Sequence, residues 1–218
     1  LYDTQGKKYM DLISGISVSN VGHRHPKVLE AIHSQLDKYL HLMVYGEYIQ
    51  APQVQLAKLL AEQLPPSLNC TYFVNSGSEA VDGAVKLAKR VTGKTEVISF
   101  RNAYHGSTQG VLSIGGNEQF KNAYRPLIPD VRILEFNDLK QLQSTSFKNT
   151  ACVVIEPIQG EAGIRIAEQE FLTELRKRCD ENCCLLIFDE IQSGSGRTGK
   201  LFAFEQYKIV PDILCIAK

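Results

Sequence analysis

The chain has 218 residues, 44% of them hydrophobic and 22% charged, which suits one large soluble domain, or one and a half, with a real core. Its 24 lysines and arginines balance 24 aspartates and glutamates, so no excess charge points to nucleic acid or to an anionic membrane surface. No apolar run approaches the roughly 18 residues of a membrane span, and the opening LYDTQGKKYMDL carries no signal-peptide pattern.

In chain order, residues 26–40, PKVLEAIHSQLDKYL, begin on a proline and bring Val28, Leu29, Ile32, Leu36 and Leu40 to one helical face. His23 and His25, just ahead of that proline, are expected to shape the turn rather than bind metal. A second helix is predicted over 53–63, stopped by Pro65 and Pro66. Short β-rich runs then alternate with helices. TYFVN (71–75) leads into a helix over about 77–91, and EVISF (96–100) follows. VRILEF (131–136) precedes a short helix near 138–146, and ACVVIE (151–156) one near 169–182. LLIFD (185–189) and DILCIA (212–217) close the series. Near-continuous apolar strands separated by amphipathic helices predict a mainly parallel sheet covered on both faces, an α/β fold.

The first 45 residues stand outside this alternation and are expected to belong to a smaller domain, with 46–218 forming the large one. The absence of an initiating methionine suggests a trimmed start. The halt at Lys218, directly after a strand of buried type, predicts further sequence beyond it. Six cysteines sit in apolar surroundings, as expected of reduced thiols in a cytoplasmic protein. Cys179, Cys183 and Cys184 cluster, but with no histidine or fourth cysteine nearby they read as core packing rather than a metal site.

Ligands of open α/β sheets gather at the carboxyl ends of the strands. Asn75-Ser76-Gly77-Ser78, Glu156, Asp189 and Lys218 all fall at such ends. The stretch LLIFDEIQSGSGRTGK (185–200) at first suggests an ATPase, with an acidic strand end and a G-x-x-x-x-G-K loop. Leu201 stands where that loop needs Ser or Thr, and the loop lies too far past the strand. The same distance defeats the G-x-G-x-x-G dinucleotide reading, since five residues separate Phe188 from Gly194. Residues 194–199 are expected to be a glycine-rich surface turn. Asp189 still needs a partner, because a carboxylate ending an apolar strand is costly alone.

NSGSEA (75–80) places small residues where a strand gives way to a helix with free N–H groups, which suits an anion. Ser76 and Glu79 also spell a capping box that needs no ligand, and the two readings are compatible. A phosphate site, a buried carboxylate and a lysine beside an apolar strand together match the needs of pyridoxal 5′-phosphate.

At this point the sequence resembles the class III (ω-amino) aminotransferases, pyridoxal-phosphate enzymes of fold type I. GHRHP (22–26), NSGSEA (75–80), NAYHG (102–106), EPIQGEAG (156–163), FDEIQSGSGRTG (188–199) and PDILCIAK (211–218) carry the resemblance in family order. It implies a large α/β domain accompanied by part of a small α+β domain. It further implies that Lys218 is the Schiff-base lysine and proton shuttle, and that Asp189 pairs with the pyridinium nitrogen. Gln192 would bond the ring hydroxyl, Tyr104 would stack on the ring with His105 beside it, and the Ser76-Gly77-Ser78 turn would hold the phosphate. Glu161 corresponds to the family's gate carboxylate, which pairs with a later arginine. Read alone, Tyr104 is equally compatible with a core aromatic, His105 with a satisfied turn residue, and Glu156 with a residue that holds the strand end.

The resemblance implies ω-amino transfer from an amino acid such as N-acetylornithine to 2-oxoglutarate by ping-pong chemistry. The implied assembly is a homodimer whose partner subunit supplies a Ser or Thr to the phosphate. Ile16 matches the acetylornithine and 4-aminobutyrate branches rather than the ornithine branch. Ser107 departs from the pattern: it stands where relatives carry an arginine that grips a substrate carboxylate. Arg101 and Arg125 are the nearby candidates to compensate. The alternatives are 4-aminobutyrate, ornithine or diamine transamination, an aminomutase of the same fold and, from another class, the ATPase.

Overall fold

The computed structural model describes residues 1–43 and 46–218. Its first elements are a short helical turn α1 (Ser14–Ser17) and helices α2 (Pro26–Leu36), α3 (Ala51–Gln63) and α4 (Gly77–Thr92). Strand β1 (Glu96–Phe100), helix α5 (Gln109–Ile114), strand β2 (Val131–Leu134) and helix α6 (Leu139–Ser144) follow. Then come β3 (Thr150–Ile155), the small pair β4 (Ile158–Gln159) and β5 (Arg165–Ile166), and helix α7 (Gln169–Glu181). The last elements are β6 (Leu185–Asp189), α8 (Phe204–Tyr207) and β7 (Ile213–Cys215).

Five strands form one parallel sheet in the order β2-β1-β3-β6-β7. Because side chains alternate along a strand, each strand serves two layers. Val97, Cys152, Val154 and Ile187 point to the layer of α4 and α5, where Val81, Ala84 and Ala88 present a face of small residues. Ile98, Phe100, Val153, Ile155, Leu186 and Phe188 point the other way, onto Leu142 of α6 and Phe171, Leu172, Leu175 and Cys179 of α7. Burial on both faces explains why these strands read as continuous apolar runs rather than alternating ones. Cys179 and Cys184 lie in this core, while Cys183 is exposed at a left-handed turn.

Two expectations are corrected. TYFVN (71–75) joins no sheet among the described residues, and Tyr72 is 80% exposed. A β-prone run becomes a strand only where a neighbour takes up its backbone hydrogen bonds, and none flanks it here. Helix α2 ends at Leu36 rather than continuing to 40, and its apolar face is uncovered: Val28, Ile32 and Leu36 are each about half exposed. The domain boundary expected at 45/46 adjoins residues 44 and 45, which lie outside the described ones. Segment 1–43 is tied to the predicted glycine turn by hydrogen bonds. The guanidinium of Arg197 donates to the Ser17 carbonyl and to Asn20, and Asn20 donates to the Ser195 carbonyl.

Candidate active site

The carboxyl ends of β1, β3, β6 and β7 lie side by side on one edge of the sheet, and each contributes a polar residue there. His105 comes from the loop after β1, Glu156 directly follows β3, Asp189 ends β6, and Lys218 lies three residues past β7. The first turn of α4 faces them. Together they wall a cavity of about 210 Å³ that also takes in Tyr104, Gln192, Ser76, Gly77 and Ser78.

Asp189 is almost wholly buried, and its partner proves to be His105. Nδ1 of the imidazole donates to Asp189 Oδ2 at 2.7 Å, and the Ile191 N–H donates to Oδ1 at 3.1 Å. Behind the ring, Ser99 Oγ lies 3.3 Å from His105 Nε2. The buried serine thus fixes the far side of an imidazole whose near side orients the carboxylate. Each oxygen of Asp189 has accepted one hydrogen bond, which leaves capacity for a donor from the cavity. Glu190, next in the chain, turns away: it accepts from the backbone N–H groups of Ala203 and Phe204 and so anchors the start of α8.

The start of α4 is capped from within. Ser76 Oγ accepts from the Glu79 N–H at 3.2 Å, while Glu79 reaches back to the Asn75 N–H at 2.6 Å. The N–H groups of Gly77 and Ser78 have no acceptor among the described residues, so capping and an open anion site coexist at one helix end. Backbone approaches are close here. A Cβ on Gly77 would come within 2.7 Å of the Ile191 side chain. Gly106, at φ +123°, lies so near Ser78 that a Cβ would come within 2.0 Å of its Oγ. The Ser107 N–H donates to that same oxygen at 3.3 Å, tying the 104–107 loop to the helix start. Tyr104 lies at the wall, 40% exposed, with its ring edge-on to Phe120.

The comparisons with known proteins agree with this arrangement. The family model described as aminotransferase class-III matches residues 1–218. The chain belongs to the class III aminotransferases. It is 44% identical over 218 residues to the acetylornithine aminotransferase of Methanopyrus kandleri, covering 100% of this chain and 56% of that protein. A transaminase from the marine bacterium Virgibacillus superposes with a TM-score of 0.92 at 28% identity, covering 100% of this chain and 53% of the other. An amine transaminase from an uncultivated Pseudomonas species, solved in its PLP-bound form, gives a TM-score of 0.91 at 27% identity, covering 100% and 55%. The chain thus spans about half the length of the relatives it matches. Its fold is the mainly parallel, helix-flanked sheet of fold type I transaminases.

Within this class III scaffold, Ser76, Gly77, Ser78, Tyr104, His105, Asp189, Gln192 and Lys218 share one cavity. Ile16, Glu161 and Ser107 are exposed and do not line it. Arg101 and Arg125, the expected compensating cations, pair with Glu135 and Glu118 and do not line it either. Sequence reasoning put Glu156 at a strand end on the ligand side of the sheet, where it does line the cavity, but assigned it no role in the site, and it missed the supporting Ser99. The proline after Glu156 marked only a strand end, and nothing local marks Ser99, whose significance depends on a loop folding back over β1. Among the described residues no cluster of His, Cys, Asp and Glu is arranged to hold a metal ion, and no helix is long and apolar enough to cross a membrane.

The donor set fits pyridoxal 5′-phosphate. Two unbonded N–H groups at the start of a 16-residue helix suit a phosphate. The half-engaged carboxylate of Asp189 suits a ring N–H, and the Lys218 amine reaches the same space.

Proposed function

We propose that the protein is a pyridoxal-phosphate-dependent transaminase that moves the ω-amino group of an amino acid such as N-acetylornithine to 2-oxoglutarate. The observation that carries this reading is the convergence of the α4 start, the His105–Asp189 pair and Lys218 on one cavity. When bound, the cofactor supplies a reactive aldehyde and an electron-withdrawing ring. Gly77 and Ser78 hold its phosphate through their N–H groups, aided by the positive end of the helix dipole. Asp189 accepts the ring N–H, oriented for this by His105 and Ile191. Gln192 would hold the ring hydroxyl through its amide, and Tyr104 would pack against the ring. Lys218 would provide the amine that holds the cofactor and would move a proton at the substrate carbon.

The shared active site of a homodimer, with Glu161 as gate residue, belongs to the same proposal, as does a cytoplasmic setting. Six cysteines without a disulfide among the described residues support that setting. The boundary between a small domain over 1–45 and a large domain over 46–218 is likewise proposed.

One observation favours a second reading. With Ser107 in the place of an arginine and Arg101 and Arg125 both engaged elsewhere, no arginine lines the cavity among the described residues. A diamine or other amine without a second carboxylate would need none, and an amine transaminase is among the structural neighbours. Loss of a charge-assisted carboxylate contact is worth roughly 1.5–3 kcal/mol, or about ten- to hundredfold in affinity.

Borohydride reduction of the purified, cofactor-loaded protein, followed by peptide mass mapping, should place a stable label on Lys218. A label elsewhere, or none, rejects the transaminase reading. A donor panel of N-acetylornithine, ornithine, 4-aminobutyrate and diamines with 2-oxoglutarate then decides the substrate. Diamines ahead by tenfold or more in kcat/KM would overturn the acetylornithine preference.

A further inference from the structure

Two carboxyl groups reach the cavity from adjacent strands, and their surroundings differ sharply. Ile155 pairs with Phe188 in the sheet register, so Glu156 stands next to Asp189. Asp189 has strong donors on both oxygens, from His105 and Ile191. Glu156 is 6% exposed, and its one hydrogen bond among the described residues is a long one, 3.5 Å from the Tyr104 N–H. No lysine or arginine forms an ion pair with it among the described residues.

The charged groups around it come from every neighbouring element: Asp189 from β6, Lys218 from beyond β7, and Glu161 from the turn after β4. His105, from the loop after β1, is turned to Asp189 rather than to Glu156. Burial disfavours a charge on Glu156 first, and Asp189 and Glu161 disfavour it further. The Tyr104 N–H and Lys218 oppose these without overcoming them, so the carboxyl is pushed well above its ordinary range. Two neighbouring buried acids divide their roles when their surroundings separate them so strongly.

We propose that Glu156 is held as a neutral carboxylic acid and acts as a positioning residue, keeping the cavity wall at one carboxylate charge and presenting an O–H donor beside Asp189 and Lys218. A second ionised carboxylate there would favour the ammonium form of the Lys218 amine, which neither attacks nor accepts a proton. This role toward Lys218 rests on the transaminase reading. The protonation state does not, because it follows from burial and neighbours alone.

The test separates the two. Isotope-edited infrared spectroscopy on cofactor-free protein carrying 13C-labelled glutamate carboxyls should show an acid carbonyl band at pH 7 that disappears in Glu156→Gln. Because Glu190 is also buried, the wild-type minus variant difference isolates the Glu156 band. Asp189→Asn identifies the same carboxyl without touching it: removing the neighbouring charge should make the band titrate at lower pH. Absence of the band overturns the neutral acid whatever the enzyme does, and a titration indifferent to Asp189→Asn overturns the part given to the neighbouring carboxylate. In the loaded enzyme, Glu156→Gln should flatten the alkaline limb of the kcat/KM profile relative to wild type. An unchanged limb beside a confirmed acid band would overturn the role toward Lys218 and leave the transaminase reading standing.

Discussion

The sheet and its two helical layers differ from segment 1–63 in what they do with the same kind of side chain. Phe100, Phe171, Leu175 and Phe188 are all fully buried, each between elements the chain itself supplies. Val28, Ile32, Leu36 and Leu59 are each about half exposed. Helix α2 carries an amphipathic pattern as good as that of α7, so hydrophobicity does not distinguish them. What differs is the supply of opposing surface. An apolar stripe with helical spacing specifies a helix, and only a partner surface turns that stripe into core.

The largest effect should come from breaking the buried region. Phe171 is 1% exposed and packs edge-on against Phe100 at 5.5 Å between ring centroids. Phe171→Ala should cost about 3–5 kcal/mol, the usual range for a large aromatic removed from a packed core. Urea unfolding would measure it. A loss under about 1 kcal/mol would show that α7 does not seal this face of the sheet in solution.

The same sheet positions the site, and there the effect should be catalytic rather than structural. Asp189→Asn keeps the shape but retains one acceptor oxygen, so it can accept from Ile191 or from His105 and not from both as the carboxylate does, and it removes the charge that would hold a ring N–H. Withdrawing electrostatic stabilisation of this kind costs roughly two to three orders of magnitude in rate. Stopped-flow measurement of the half-reaction with the amino donor would show it, alongside near-normal cofactor retention. An unchanged half-reaction would assign Asp189 a structural role.

These two cases also mark what could be read from the sequence. LLIFD was legible to the residue as β6, because a strand buried on both faces writes a continuous apolar run. The helix starts at Pro26 and Ser76 were legible because capping chemistry is local. TYFVN misled because its β propensity is local while its hydrogen-bond partner is not. Helix α5 went unseen because it is six residues long, with Gly110 set close against Asp82. Lys218 and Asp189 could be assigned to a common site by their places at or after strand ends, and the Ser76 turn by the helix it caps, since no strand precedes it among the described residues. The His105–Asp189 bond, which joins residues 84 apart, and the placement of Glu156 beside Asp189 depend on strand order, which periodicity does not encode.

A smaller, pH-dependent effect should distinguish the site edge of the sheet from its interior. Burial and the Asp189 charge raise the carboxyl of Glu156 above its ordinary 4.5 in the folded state. Its contribution to stability is therefore fully present below about pH 4.5 and declines as pH rises through the raised folded value. Gln cannot ionise and resembles the neutral acid in shape. Glu156→Gln should leave Tm almost unchanged near pH 4.5 and raise it progressively above wild type as pH increases. A difference in Tm independent of pH would mean that the carboxyl ionises equally well in the folded and unfolded chain.

The smallest expected effect is the one that could undo the comparison. Ile32 lies on the exposed stripe of α2 and is 50% exposed. If that stripe faces water, Ile32→Ser should change folding stability by no more than about 0.5 kcal/mol. Full burial of an isoleucine is worth about 1.5–3 kcal/mol, so a loss in that range would mean that something covers α2 in solution. Unfolding midpoints measured at two protein concentrations a hundredfold apart then name the cover. A wild-type midpoint that rises with concentration, and an Ile32→Ser midpoint that does not, would assign the stripe to a contact between two copies. A midpoint independent of concentration in both proteins, together with a small loss, would leave the stripe as an open surface and the contrast with the sheet intact.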